Sequence, residues 1–229
     1  IVDTPEESSE KDKGNIPLPS IIGKVDFEDL DFSFNAQTGN VLKGINLSIP
    51  AGKFVGIVGQ SGSGKSTLMK LLPRLYKPNS GRILLDGYDI TKVELYSLRR
   101  QIGIVPQDSL LFEGTIAENI AFGVLPDQID MDRVKKAASK AMISDFIESR
   151  KYNYNGIVGE RGVRLSGGQR QRIGIARALY KKANIIIFDE ATSALDNETE
   201  EIVMETIRNL GNDLTLIIVA HRLTTLKDC

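Results

Sequence analysis

The chain has one cysteine in 229 residues, Cys229, and it is the last residue. No disulfide can form within the chain, which fits a reducing compartment. No apolar stretch approaches the ~18–20 residues that a membrane-spanning helix needs. The most apolar segments, Ile185-Ile186-Ile187-Phe188 and Leu214-Thr215-Leu216-Ile217-Ile218-Val219-Ala220, have the length of buried strands. A basic region followed by an apolar one is absent from the start, so no signal peptide is expected in these residues. An excess of one charge is absent too: Lys+Arg 29 against Asp+Glu 30 gives a net charge of −1. Such a balance leaves no global electrostatic footprint for nucleic acid, and no internal repeat is present. With 41% hydrophobic and 26% charged residues the composition is that of an ordinary globular protein, which excludes wholesale disorder and collagen-like repeats. The length suits one large domain, or one with a small appended subdomain. The chain opens on Ile1 and stops at Lys227-Asp228-Cys229 without an evident cap; a fragment of a longer polypeptide is expected.

Residues 1–20 hold Asp3, Glu6, Glu7, Glu10, Lys11, Asp12 and Lys13 among Pro5, Pro17 and Pro19. They read as a solvated linker without contacts. From Val25 the pattern is strand-like, with Val25, Phe27, Leu30, Phe32 and Phe34 at mostly alternating positions and Ile45, Leu47 and Ile49 in strict alternation. The short apolar run from Phe54 to Val58 fits a buried strand. A helix is expected from Thr67 to Leu75, and a strand from Arg82 to Leu85 that ends at Asp86-Gly87. Between about Leu110 and Val163 the periodicity is helical (Ile116, Ile120, Ala121; Val134, Ala137, Ala138, Ala141; Ile143, Phe146, Ile147), which marks a helical subdomain inserted into an α/β core. Helix, strand, helix and strand then follow from Gln169 to Ala220, and this alternation implies parallel pairing with right-handed crossovers.

Gly59-Gln60-Ser61-Gly62-Ser63-Gly64-Lys65-Ser66-Thr67 matches G-x-x-x-x-G-K-[ST] in full, between a buried strand and a helix. Glycines let backbone N–H groups turn inward around an anion. The helix N-terminus adds partial positive charge. Lys65 supplies a mobile cation for the β- and γ-phosphates, and the Ser66 hydroxyl is a hard oxygen ligand for Mg²⁺. The motif points to nucleoside triphosphate binding; on its own it names neither the family nor the work that hydrolysis drives. Downstream, Ile185-Ile186-Ile187-Phe188-Asp189-Glu190 is an apolar strand ending in two carboxylates, where a doubly wound sheet places its ligand. Adjacent residues on a strand face opposite sides, so the two acids are expected to act differently. Asp189 is placed to hold Mg²⁺ through water, and Glu190 to orient or deprotonate the attacking water. Without the phosphate loop, the same pair would be as readily a solvated strand end.

Leu165-Ser166-Gly167-Gly168-Gln169, standing between the phosphate loop and the acidic strand, resembles the signature motif of the ATP-binding cassette (ABC) transporter nucleotide-binding domain. The resemblance runs from about Val25 to Leu226. It implies an α/β fold: a P-loop NTPase core with a mainly parallel sheet, an N-terminal antiparallel β subdomain and an inserted α-helical subdomain at about 110–165. It implies ATP and Mg²⁺ as ligands and Glu190, His221, Gln107 and Lys65 as catalytic groups. Phe34 falls where the family stacks an aromatic on adenine; Tyr is commoner there, and a core Phe on an alternating strand is the competing account. Gln107 matches the Q-loop glutamine, a Mg²⁺ ligand alongside Ser66 and Asp189. Ser193-Ala194-Leu195-Asp196 matches the D-loop, which communicates across a dimer. His221, the one histidine, matches the switch histidine on the γ-phosphate, whereas an isolated histidine after a strand is ordinarily only a satisfied side chain. Ser166, Gly167, Gly168 and Gln169 open a helix and form a second anion-binding end. In the family that end faces the phosphates held by another cassette, so two copies pack head to tail around two ATP. Arg170, Arg172, Arg177, Lys181 and Lys182 make this helix basic; a solvated face is expected, rather than a nucleic-acid patch.

Gly114-Thr115-Ile116-Ala117-Glu118-Asn119-Ile120 and Gly159-Glu160-Arg161-Gly162 resemble segments of the exporter branch, the second of them the X-loop that meets the membrane domain. The organisation expected is therefore a linker over 1–22 from a missing transmembrane domain, and an ATPase domain over 23–229 that lacks its last elements. The expected partners are a second nucleotide-binding domain, as a homodimer, and a transmembrane domain, with no nucleic acid, at the cytoplasmic face of a membrane. The alternative is a soluble tandem-cassette ATPase acting on ribosomes or nucleic acid. The stretch between Gln107 and Leu165 is too short for the long coiled coil of DNA-repair relatives. A stand-alone importer ATPase is a third reading, disfavoured by the linker and X-loop.

Overall fold

The structure, a computed structural model, describes residues 14–35, 39–159, 162, 164–192, 195–211 and 213–220. In chain order the elements are β1 (Val25–Phe32), β2 (Leu42–Ile49), β3 (Phe54–Val58), α1 (Lys65–Leu71), β4 (Ser80–Leu85), β5 (Tyr88–Asp89), α2 (Leu95–Arg100) and β6 (Ile102–Pro106). Next come α3 (Ile116–Ile120), α4 (Met131–Lys140), α5 (Ser144–Glu148), α6 (Gly167–Tyr180), β7 (Ile185–Asp189), α7 (Asn197–Arg208) and β8 (Thr215–Ala220).

One sheet is antiparallel, in the order β2-β1-β4-β5. The imperfect alternation of β1 has a local cause. The pairing register shifts between Phe27 and Leu30, where Asp29 has φ 45, so the buried set changes phase from Val25 and Phe27 to Leu30 and Phe32. The other sheet is parallel, in the order β3-β8-β7-β6. Its central strands are buried on both faces, and their two-residue period sorts them between two cores. Ile186, Phe188, Leu216 and Ile218 pack with residues of α3 to α7, whereas Ile185, Ile187, Ile217 and Val219 pack with β1, β4 and α1. The helices α3 to α5 carry the inserted apolar periodicity onto α6, so the expected α/β class with antiparallel and helical additions is the observed fold.

The expectation of a contact-free tail does not hold for residues 15–22. Leu18 and Ile21 are buried in the core beside the antiparallel sheet. Leu18 N–H donates to Ser97 Oγ at 2.8 Å, and Glu94 N–H donates to Ile16 O at 2.9 Å. The carboxylate of Asp86, in the β4–β5 turn, accepts from the consecutive backbone N–H groups of Ile22 (2.5 Å), Gly23 (3.2 Å) and Lys24 (2.6 Å). The polar composition hid two apolar anchors whose partners lie far along the chain.

Candidate functional site

The turn from β3 into α1 is a cradle organised by Lys65. Its side chain is only 7% exposed, and Nζ donates to Gly59 O and Gln60 O, each at 2.8 Å, and to Ser63 Oγ at 3.4 Å. The ammonium is thus centred in the loop. Gly64, at φ 90, must be glycine: a Cβ there would stand 2.8 Å from Leu42 Cδ2 in a conformation that L side chains avoid. Ser66 follows, and its Oγ lies 2.6 Å from Asp189 Oδ1 at the end of β7. One hydroxyl and one carboxylate therefore meet beside the cradle. That is a hard-oxygen pair suited to Mg²⁺, which takes few protein ligands and completes its shell with water and phosphate oxygens. Among the described residues, no group of three His, Cys, Asp or Glu side chains could hold a metal.

A cleft of about 290 Å³ opens over this cradle, lined by Phe34, Val41, Gly62, Gly64, Lys65, Ser66, Thr67 and Glu190. Glu190 reaches it through a left-handed backbone turn (φ 55), with its N–H donating to Val219 O at 3.1 Å. The strand rule that separates adjacent side chains stops applying at this residue, and Asp189 and Glu190 both serve the same end of the sheet. A non-glycine residue held in this region costs about 1–3 kcal/mol and persists where surrounding structure enforces it. Phe34, 55% exposed, is not a core side chain. Its ring meets Phe32 and Tyr76 edge-on, with centroids 5.0 and 5.4 Å away, so its orientation is set before any base arrives. Tyr76 was not marked by the sequence, because its link to Phe34 exists only in three dimensions.

Gln107 directly follows Pro106, which lies opposite Asp189 in the parallel register. Its side chain is exposed, and it does not line the cleft. Ser166, Gly167, Gly168 and Gln169 do not line it either. They form the N-terminus of α6, closed by a capping box: Ser166 Oγ accepts from Gln169 N–H at 3.3 Å, and Gln169 Oε1 accepts from Ser166 N–H at 2.9 Å. Gly168 is required by close packing, since a Cβ would run into Thr199 Cγ2. Asp196 caps the next helix, α7, by accepting from Thr199 N–H at 3.0 Å and Thr199 Oγ1 at 2.8 Å. The N–H and hydroxyl of Thr199 hold its carboxyl below the usual range. His221 lies outside the described residues, as do Ser193, Ala194, Glu160 and Arg161.

Of the basic residues expected on a solvated face, Lys181 and Lys182 are exposed, whereas Arg170, Arg172 and Arg177 are partly buried. Arg170 Nη1 donates to Leu165 O at 2.6 Å, Arg172 Nη1 to Met142 O at 2.6 Å, and Lys181 Nζ to Ile102 O at 3.1 Å. Arg177 donates to Asn119 O at 2.9 Å and Leu110 O at 3.2 Å, and burial holds its pKa below the usual arginine range. The helix is packed on most sides, so its cations satisfy carbonyls at the ends of neighbouring segments. The Arg177 guanidinium also stands 5.7 and 5.2 Å from the rings of Phe112 and Phe122, which stack at 4.4 Å and are half-exposed. Phe122 and Arg177 border a groove of about 410 Å³ whose lining includes Tyr96, Arg100, Ile104 and Lys181.

Among the described residues, no helix is long and apolar enough to cross a membrane. The sequence profile of the ABC transporter family matches residues 42–193. The chain is 47% identical over 219 residues to an ATP-dependent lipid A-core flippase of Methylococcus capsulatus, covering 96% of this chain and 36% of that protein. It is 47% identical over 220 residues to the leukotoxin translocation ATP-binding protein LktB of Mannheimia haemolytica, covering 96% of this chain and 31% of that one. It also superposes on the structure of a bacterial Atm1-family ABC exporter with ATP bound, with a TM-score of 0.84 and 46% identity, over 93% of this chain and 37% of the other. The chain thus spans about a third of the length of these relatives.

Proposed function

The chain belongs to the ABC transporter family, and from that premise we propose that it is the ATP-binding and ATP-hydrolysing motor domain of an exporter, working as a head-to-tail dimer around two ATP. One observation carries the reading: the cradle, the Ser66–Asp189 pair, Phe34 and Glu190 gather around one cleft, while the signature turn at Ser166–Gly168 lies elsewhere. A single copy then presents half of each of two sites.

In this reading Phe34 stacks on adenine, and the loop from Gly59 to Thr67 wraps the phosphates. Its N–H groups and the Lys65 ammonium oppose the charge that builds on the transferring phosphoryl group. Mg²⁺ would be held by Ser66, Asp189 and Gln107, and it supplies neutralisation of phosphate oxygen charge. Glu190 orients or deprotonates the attacking water, and His221 contacts the γ-phosphate. Ser166, Gly167 and Gly168 of a second, identical copy close the site from the opposite side. Gln169 acts through its cap on Ser166, and Asp196 through the start of α7 beside it.

The linker over 1–22 would join a transmembrane domain, with 23–229 as the motor at the cytoplasmic face and the helical subdomain at about 110–165. The groove beside Phe122 and Arg177 offers that domain an aromatic and cationic seat. The test is Glu190→Gln in the full chain. ATP binding should persist, hydrolysis should fall about 10²–10⁴-fold, and sedimentation with ATP should show a stable dimer. Ordinary turnover, or hydrolysis per molecule undiminished where only monomers sediment, overturns the proposal.

A further inference from the structure

Gln171 sits on α6, two residues beyond the capping box, and is 2% exposed. Its amide makes three hydrogen bonds. Oε1 accepts from Ser109 Oγ at 2.9 Å, and Nε2 donates to Pro106 O at 3.1 Å and to Gln107 O. An amide nitrogen has two protons, and both go to consecutive carbonyls of the segment leaving β6. We infer that Gln171 is a positioning residue that fixes this segment to α6 and so sets where Gln107 presents its side chain. The inference rests on the proposed role of Gln107.

The arrangement gives the pairing consequences beyond packing. Pro106 lies opposite Asp189 in the sheet, so the first clamped carbonyl belongs to the residue registered with the proposed metal-holding carboxylate. The clamp itself comes from a different helix, the one whose N-terminus is the signature turn. Ser109, 4% exposed, ties the next turn of the segment to the same amide. Farther along the chain, Arg177 of α6 holds Leu110 O at 3.2 Å. The stretch from Pro106 to Leu110 is therefore carried by α6. A displacement of the signature turn along the helix axis moves Gln107 with it, which links the half-site offered to the partner copy with the half-site kept by this one. Nothing in the sequence marks Gln171 for this, because its partners are 62 to 65 positions away.

The test is a double-mutant cycle on steady-state ATP hydrolysis by the full chain. Gln107→Ala should lower kcat. Gln171→Met, similar in length and without hydrogen-bonding groups, should lower kcat about tenfold or more, as expected for a displaced catalytic group, while KM for ATP stays within about twofold because the cradle is untouched. The double variant should be no slower than Gln107→Ala alone, because Gln171 would act only through Gln107. If Gln171→Met does not fold, Gln171→Glu keeps the acceptor for Ser109, removes the Nε2 protons and serves in the same cycle. A double variant whose loss is the product of the two single losses overturns the inference and leaves the proposed function standing, as does a Gln171 variant with unaltered kcat. An unaltered kcat in Gln107→Ala overturns the Gln107 role first, and the inference with it.

Discussion

Replacing Gly168 by alanine adds one carbon where the first turn of α6 crosses the start of α7. The new Cβ runs into Thr199 Cγ2, far inside the ~3.5–4.0 Å optimum for two carbons. Thr199 is not free to rotate away, because its hydroxyl is held by Asp196 Oδ2 at 2.8 Å and its N–H by Oδ1 at 3.0 Å. Either the helices separate or the α7 cap is lost. Overpacking of this kind costs about 1–3 kcal/mol, and the Gly→Ala change in a helix returns about 0.5–1 kcal/mol. A net loss of about 1–2 kcal/mol corresponds to a Tm lowered by roughly 2–8 °C at this chain length. Thermal unfolding followed by circular dichroism reads it directly. Thr199→Ser removes the obstructing methyl and keeps the hydroxyl on Asp196, so Gly168→Ala in that background should regain most of the lost Tm. Hydrolysis measured there reports the effect of the extra carbon on the signature turn apart from any folding defect. An unchanged Tm in Gly168→Ala, or a loss that Thr199→Ser does not restore, would refute the close-packing explanation.

Lys65→Ala removes a charge-assisted donor worth about 1.5–3 kcal/mol, so the Kd for ATP should rise roughly 10- to 100-fold in calorimetry; an unaltered Kd speaks against the cradle. Phe34→Ala should weaken ATP by the ~1–3 kcal/mol of one base–aromatic contact and leave Tm nearly unmoved, because the ring is 55% exposed; equal affinity would remove Phe34 from the site. Acid should destabilise the chain through its capping carboxylates. Thr115 N–H and hydroxyl hold Glu118 below its ordinary 4.5, and Thr199 N–H and hydroxyl hold Asp196 below its ordinary 3.8. These folded-state values are lowered, so the stabilisation is fully present above the ordinary values and is lost as pH falls through the lowered ones. Tm measured downward from about pH 6 should drop below about pH 4.5, and Glu118→Gln should flatten part of that drop; a flat profile contradicts the assignment.

The phosphate loop and the strands that flank it were legible because each is a local pattern: a turn between two elements, a two-residue alternation. Parallel pairing was legible from strand–helix alternation. What the sequence hid depends on residues distant along the chain. Gln171 looks like an ordinary polar position on a helix, and its burial follows only from how β6 docks. Arg177 reads as a surface charge because one sequence does not say that α6 is packed on most sides. Leu18 and Ile21 are two apolar residues in a polar stretch, and only the Asp86 turn and the Ser97 hydroxyl give them a seat. Phe34 was marked only by the family resemblance, against a core position on an alternating strand, and the Tyr76 edge that orients it was not marked at all.

The Asp86 carboxylate grips the chain at Ile22, Gly23 and Lys24, immediately ahead of β1. The same stretch is also tied to the parallel sheet, because Thr215 Oγ1 at the start of β8 donates to Gly23 O at 2.8 Å and Asn184 Nδ2, just ahead of β7, donates to Ile21 O. β8 in turn pairs with β3, the strand that leads into the phosphate loop. The stretch ahead of β1 is like a thread sewn through two layers of cloth: a tug on it reaches both sheets, including the one whose edge strand carries the loop.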